Sequence, residues 1–119
     1  MDIDAQKAET EETFARLSRR YVLPGEVPLG LQFIPLDVPG DRDGFAQAAA
    51  ALGYEAIWFP GEDDEDEADG YLELERVISP VSVEEIWRHE SLLTELALRY
   101  GFAADGWSFL VPLDEIGEA

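Results

Sequence analysis

SPVSVEEIWRHESLLTELALRYGFAADGW, residues 79–107, decides how this chain folds, because it holds a helix with both ends marked and then runs into a strand. Ser82 and Glu85 form an S-x-x-E capping box, in which the hydroxyl accepts from an early backbone N–H and the carboxylate reaches back. Pro80 keeps the preceding turn out of the helix. Ile86, Leu93, Leu96, Ala97 and Tyr100 recur at three- and four-residue spacing and predict one apolar stripe facing a core. Gly101 is the stop, at a position where a left-handed conformation costs glycine nothing. Phe102 to Val111 is rich in aromatic and β-branched residues and reads as a strand. Asp105 and Gly106 interrupt it and suggest a bulge that re-aims Trp107.

Upstream of this unit, Tyr71 to Ile78 alternates, with Leu72, Leu74 and Ile78 on one face and Tyr71, Glu73, Glu75 and Val77 on the other. It is expected to form a hairpin with Tyr54 to Phe59, a short strand ended by Pro60 and Gly61. Between them lies EDDEDEADG, with seven carboxylates among the eight residues Glu62 to Asp69. Isolated charges are far too costly to desolvate, so this run is a solvated loop. Asp41 or Asp43 can cap a short helix whose Phe45, Ala48, Ala49 and Leu52 share a face, and Gly53 supplies its stop. Leu29 to Val38 reads as a central strand partly covered on both faces, although Pro35 suggests that it ends near there. Leu23 to Pro28, with two prolines and a glycine, is a connection. Residues 2–20 form a polar helix capped by Asp2 or Asp4, with Phe14, Leu17 and Tyr21 on one face. Arg16, Arg19 and Arg20 gather at its C-terminal end, where the helix dipole favours cations; phosphate binding is the sharper and less favoured reading.

The order is therefore helix, strand, helix, strand, strand, helix, strand. The last six elements give an α+β, ferredoxin-like two-layer sandwich, βαββαβ, with an antiparallel four-stranded sheet of order 4-1-3-2 and an extra N-terminal helix. One domain spans 1–119, with the helix at 1–22, the sandwich at 29–112 and the acidic loop at 61–70. The sheet face away from the two sandwich helices should carry Tyr71 and some of Trp58 and Trp107, and the first helix, a partner subunit or a ligand should cover it. The tail from Pro112 is short, acidic and expected to fray.

Charge is the strongest compositional signal: 27 acidic against 8 basic residues give a formal net charge of −19. Such a field repels nucleic acid and anionic membrane and steers a basic protein inward, although a high net charge also serves simply to keep a small domain soluble. With no cysteine, disulfides and thiolate metal sites are excluded. The N-terminal residues lack a signal-peptide pattern, and no apolar run approaches the roughly 20 residues a membrane span needs, so a cytoplasmic protein is expected.

No catalytic constellation stands out. Aligning Gly70 with the glycine of an EF-hand loop puts Arg76 at the bidentate twelfth position, so a calcium loop is rejected. His89 is the only histidine. It has no i, i+4 partner of the zinc-helix kind and reads as an ordinary polar helix position. There is no nucleophile elbow and no glycine-rich phosphate loop. No enzyme activity, cofactor or metal is expected. Trp58, Trp87 and Trp107 are more often packing residues than binding anchors; Trp107 rises above the others because the bulge could present its ring at an edge. The alternative for Asp105, Gly106 and Trp107 is that they serve strand geometry alone.

Ala48 to Glu55 (AAAALGYE), with Leu93, Leu96, Ala97, Tyr100 and the ADGW of Ala104 to Trp107, resembles the regulator of ribonuclease E activity B (RraB) family over about the last two-thirds of the chain. The resemblance implies a bacterial cytoplasmic protein that binds RNase E, mainly through the noncatalytic region of that enzyme, and inhibits RNA processing and decay by protein contact. The chain departs from the best-known members in lacking a long acidic C-terminal tail; its acidic run lies between strands instead. Asp63, Asp64, Glu65, Asp66 and Glu67, with Trp58, Asp105 and Trp107, are the candidate partner-binding residues. The partner the resemblance implies is RNase E or another basic RNA-processing protein, and no direct contact to nucleic acid or membrane is expected. The alternative is a homodimeric binding module that uses the open sheet face for self-association or a small ligand.

Overall fold

The computed structural model describes residues 3–21, 23, 25–36, 40–59 and 70–110. Its elements are α1 (Ile3–Arg20), β1 (Val27–Pro35), α2 (Arg42–Ala51), β2 (Glu55–Phe59), β3 (Tyr71–Ile78), α3 (Val83–Arg99) and β4 (Phe102–Phe109). The strands form one antiparallel sheet in the order β2-β3-β1-β4, which read from the opposite edge is β4-β1-β3-β2. The architecture is thus α+β, with three helices and a four-stranded antiparallel sheet.

β1 is central, and its alternation sets the layers. Val27, Leu29, Leu31 and Phe33 point to one face, where each is almost fully buried. Across the ladder they meet Ile78, Arg76, Leu74 and Leu72 of β3. Fully burying each large apolar side chain is worth about 1.5–3 kcal/mol, so this row outweighs any local propensity. The strand begins at Val27, earlier than the connection expected over 23–28, and ends at Pro35 rather than at Val38. Both prolines are tolerated for one reason: they stand at the ends of β1, where the full ladder runs out. Pro28 lies beyond the last β4 pair and its carbonyl accepts from Leu110 N at 2.8 Å, while Pro35 lies beyond the last β3 pair.

All three helices lie on the face that β1 buries. α2 supplies Phe45 and Ala49, α3 supplies Ile86, Leu93 and Ala97, and α1 reaches the same cluster through Phe14. The Phe45 ring is its centre, edge-on to Phe33 at 5.3 Å, tilted against Phe102 at 5.3 Å and stacked on Tyr100 at 6.1 Å. Asp41 accepts from Gly44 N at 2.9 Å, and Ser82 accepts from Glu85 N at 3.2 Å, but the Glu85 carboxylate, expected to reach back to Ser82, engages Arg88 and His89 instead. Gly53 and Gly101 take positive φ of 97° and 81° just past α2 and α3. Leu52, expected in the core stripe of the short helix, is the C-cap of α2 and is exposed.

β4 contains the expected bulge. Gln32 pairs with Gly106 and Phe33 with Ala104, so Asp105 is the extra residue. The insertion changes parity along the strand. Phe102 and Ala104 before it, and Trp107 and Phe109 after it, all reach the helix side. α1 packs against α3 on this side and leaves the opposite sheet face alone, which corrects the option that the first helix would cover that face. Trp58 and Trp107 likewise belong to the helix side, and Tyr71 to the other. Among the described residues no helix is long and apolar enough to cross a membrane.

Gly70 enters β3 beneath Trp58, and a Cβ there would stand 2.4 Å from Trp58 Cζ2 and 2.8 Å from the Phe59 carbonyl oxygen. Gly70→Ala is therefore expected to lower stability by about 1–3 kcal/mol, with denaturant unfolding as the measurement.

Candidate partner-binding surfaces

The residues singled out in the sequence fall in three separate places. Asp63, Asp64, Glu65, Asp66 and Glu67, like the whole run from Glu62 to Asp69, lie outside the described residues. Trp58 sits half-buried in β2 at one edge of the sheet, with Gly70 against its ring and the Arg42 guanidinium 4.6 Å from its ring centroid. Asp105 is exposed on the bulge at the other edge strand, β4. Trp107, two residues on, is drawn under α1 and donates its indole N–H to Thr10 Oγ1 at 3.2 Å. The bulge re-aims this ring into the helix layer and leaves it half-buried there, beside Phe109.

The contact between Trp107 and Thr10 belongs to a polar node that seats α1. Thr10, Glu90 and Thr94 are buried. Thr10 donates to Glu90 Oε1, and Gln6 Nε2 lies 3.1 Å from Glu90 Oε2 and 2.9 Å from Thr94 Oγ1. A cavity of about 140 Å³ opens beside this node between α1 and Gly106. Burial holds the Glu90 carboxyl above the usual carboxylate range, against the lowering effect of its bonds from Thr10 and Gln6. The node is invisible in the sequence, because Thr10 and Glu90 are 80 residues apart and each fits a solvated helix face.

His89 is a correction. It is 2% exposed rather than an ordinary polar position, with Nδ1 on the Tyr54 hydroxyl and Nε2 3.0 Å from Glu85 Oε1. Burial lowers its pKa, the nearby Arg88 charge adds to that, and the Glu85 carboxylate opposes both. The order hydroxyl, imidazole, carboxylate resembles a nucleophilic relay, but Tyr54 is itself 4% exposed, so the chain of bonds joins the start of β2 to α3 as packing. A hydrophobic partner for Tyr54 would have been the default; the i, i+4 pair Glu85 and His89 was the one available signal.

On the helix side, cavities of about 260 and 480 Å³ flank Trp87 between α1 and α3. On the opposite sheet face, Glu55 stands directly across from Glu75, with Glu73 beside them and bonded by Gln32 Nε2 at 2.8 Å. Desolvation, then the hydrogen bond and charge of Glu73 and the charge of Glu55, push Glu75 up to about 7. Among the described residues no group of three or more His, Cys, Asp or Glu side chains has metal-binding geometry.

The family described as RraB, regulator of ribonuclease activity B, matches residues 32–109, from the middle of β1 to the last residue of β4. The chain belongs to the RraB family. A comparison with curated proteins returns no significant match. The RraB match begins after α1, so the helix seated by Thr10 and Glu90 is outside the matched region, while Glu90 and Trp107 are inside it.

Two pH effects of opposite sign follow. A carboxyl whose folded pKa is raised contributes stability below its unfolded pKa of about 4.3 and loses it as pH rises through the folded value. Glu90→Gln, which keeps the shape and lets the Gln6 amide turn its unpaired Oε1 toward a donor, is expected to raise the melting temperature at pH 7–8 and to leave it nearly unchanged at pH 4. For His89 the folded pKa is depressed, so its contribution is present above about 6.5 and is lost as pH falls through the folded value. NMR titration should place the imidazole below the free value, and His89→Gln should flatten the stability loss on the acid side.

Proposed function

We propose that this chain is a non-enzymatic regulator, a single RraB-like unit of the bacterial cytoplasm that binds RNase E or a related basic RNA-processing protein and dampens RNA decay. The observation that carries this reading is the RraB match over residues 32–109. The formal charge of −19 supports it physically, because a basic RNA-binding segment is drawn to an acidic surface and the acidic protein can then compete with RNA for it. Inhibition in this reading needs only contact, and it fits the absence of any pattern of nucleophile, base and cleft in the sequence.

The same proposal takes the fold as a ferredoxin-like sandwich with an added N-terminal helix; a sheet running β4-β1-β3-β2 under α2 and α3 supports that classification. The acidic segment Asp63 to Glu67 supplies the long-range attraction. Asp105, exposed on the bulge, and the half-buried rings of Trp58 and Trp107, at opposite edges of the sheet, are kept as secondary contacts of the partner.

Binding of the purified chain to the noncatalytic region of RNase E, measured by calorimetry at low salt and again near about 0.5 M, tests the proposal. Association that weakens steeply with salt is expected. Neutralising Asp63, Asp64, Glu65, Asp66 and Glu67 together should reduce affinity and flatten the salt dependence, whereas unchanged affinity and slope would discard the electrostatic part. No association at either salt concentration would discard the partner.

A further inference from the structure

The sheet face opposite the helices divides into two unlike halves. Toward β4, Leu110 lies over Gly30, and Glu73, 7% exposed, is tied to Gln32. Toward β2, the surface is open. Val77 and Phe59 are 56% and 36% exposed, and the Phe59 and Tyr71 rings stack at 5.0 Å and 15°. Glu55 and Glu75, cross-strand partners of like charge, stand between Val77 on one side and the paired rings on the other. Like charges directly opposite one another destabilise a sheet, and exposed aromatic rings add no solubility. Neither feature helps the isolated chain to fold, and both are resolved by the same kind of visitor.

We infer that the β2–β3 half of the open sheet face is a docking surface for a cationic, partly apolar segment of a protein partner. A lysine or arginine of that segment sits between Glu55 and Glu75, and an apolar side chain lies on Phe59 and Tyr71. This deepens the regulatory reading and rests on its claim that the chain acts by holding a protein. Charge complementarity selects the occupant. No described side chain pointing to this face is positively charged, since Arg76, the basic residue of β3, points to the helix side and bonds the Leu52 carbonyl at 3.1 Å. A nucleic acid would bring phosphates to the carboxylates. A second copy docked face to face about a two-fold axis would bring carboxylates to carboxylates.

The arrangement also makes binding proton-linked. The groups facing Glu75 are Glu73 on its own strand and Glu55 on β2, while β1 presents the uncharged Gly30 and Gln32. A partner cation displaces the proton that these neighbours help Glu75 to retain, so affinity rises as pH passes through about 7.

The test uses the full chain, labelled for NMR, and a synthetic peptide of alternating arginine and leucine, with a glutamine-for-arginine version as control. Expected are shifts concentrated at Glu55, Ile57, Tyr71 and Glu75, weaker binding of the control, and affinity that increases between pH 6 and 8. The double substitution Glu55→Gln, Glu75→Gln should weaken binding about fivefold or more and abolish the pH rise. It removes a repulsion, so a melting temperature at or above that of the parent verifies its fold. Val77→Arg, which places a competing cation on the same face, should weaken binding as well. Shifts confined to the helix side, affinity unchanged in both variants, or a dimer that buries this face would overturn the inference. If RNase E binds the double variant and the parent equally, this surface fails while the regulatory reading stands. If the peptide maps to this face but RNase E does not bind the parent, the partner fails while the surface stands.

Discussion

The Phe45 ring is the contact on which the rest of the structure depends. It touches β1 through Phe33, β4 through Phe102 and the end of α3 through Tyr100, and it is fully buried. β1 and β4 are neighbours in the sheet, but they are joined through α2, β2, β3 and α3, so their register needs a third body to hold it from outside the ladder. An aromatic ring fits that role because edge-on and offset contacts fix angle as well as distance. α2 is only ten residues long and too short to be stable alone, so the ring is also what holds the helix.

Much of this was legible in the sequence, and the legible parts share a cause. The α3 cap, the alternation of β3, the stops at Gly53 and Gly101 and the bulge at Asp105 are all written in residues within a few positions of one another, where local sterics and hydrogen bonding decide. His89, Thr10 and Glu90 were illegible for the converse reason. Each is polar, each lies on a helix and each is buried because a distant partner satisfies it: Tyr54 for His89, and residues of α1 and α3 for one another. Of the candidate site, the packing role of the tryptophans was legible but their direction was not, since facing depends on the parity of the ladder and on where α1 settles. Trp107 shows this best, being turned by one extra residue and capped by a threonine almost a hundred positions away.

The two faces of the sheet follow different physical rules. On the helix side the buried carboxyl of Glu90 is held by donors from α1. On the other side Glu55 and Glu75 oppose each other without a described cation between them. The docking proposed for this face would complete it from outside. The helix layer secures the fold and frees the strands to carry an unbalanced surface.

The bulge at Asp105 has a consequence for reading related sequences. Because Gln32 meets Gly106 while Phe33 meets Ala104, the apolar positions of β4 switch from even to odd numbering at this point. A relative that lacks the extra residue must carry the opposite apolar pattern over the remainder of the strand in order to keep its rings under the first helix. An ungapped alignment would then pair residues from opposite faces, and conservation scores across Trp107 and Phe109 would be averages over two different surfaces. The φ of 148° at Gly106 marks the place where that frame should be set.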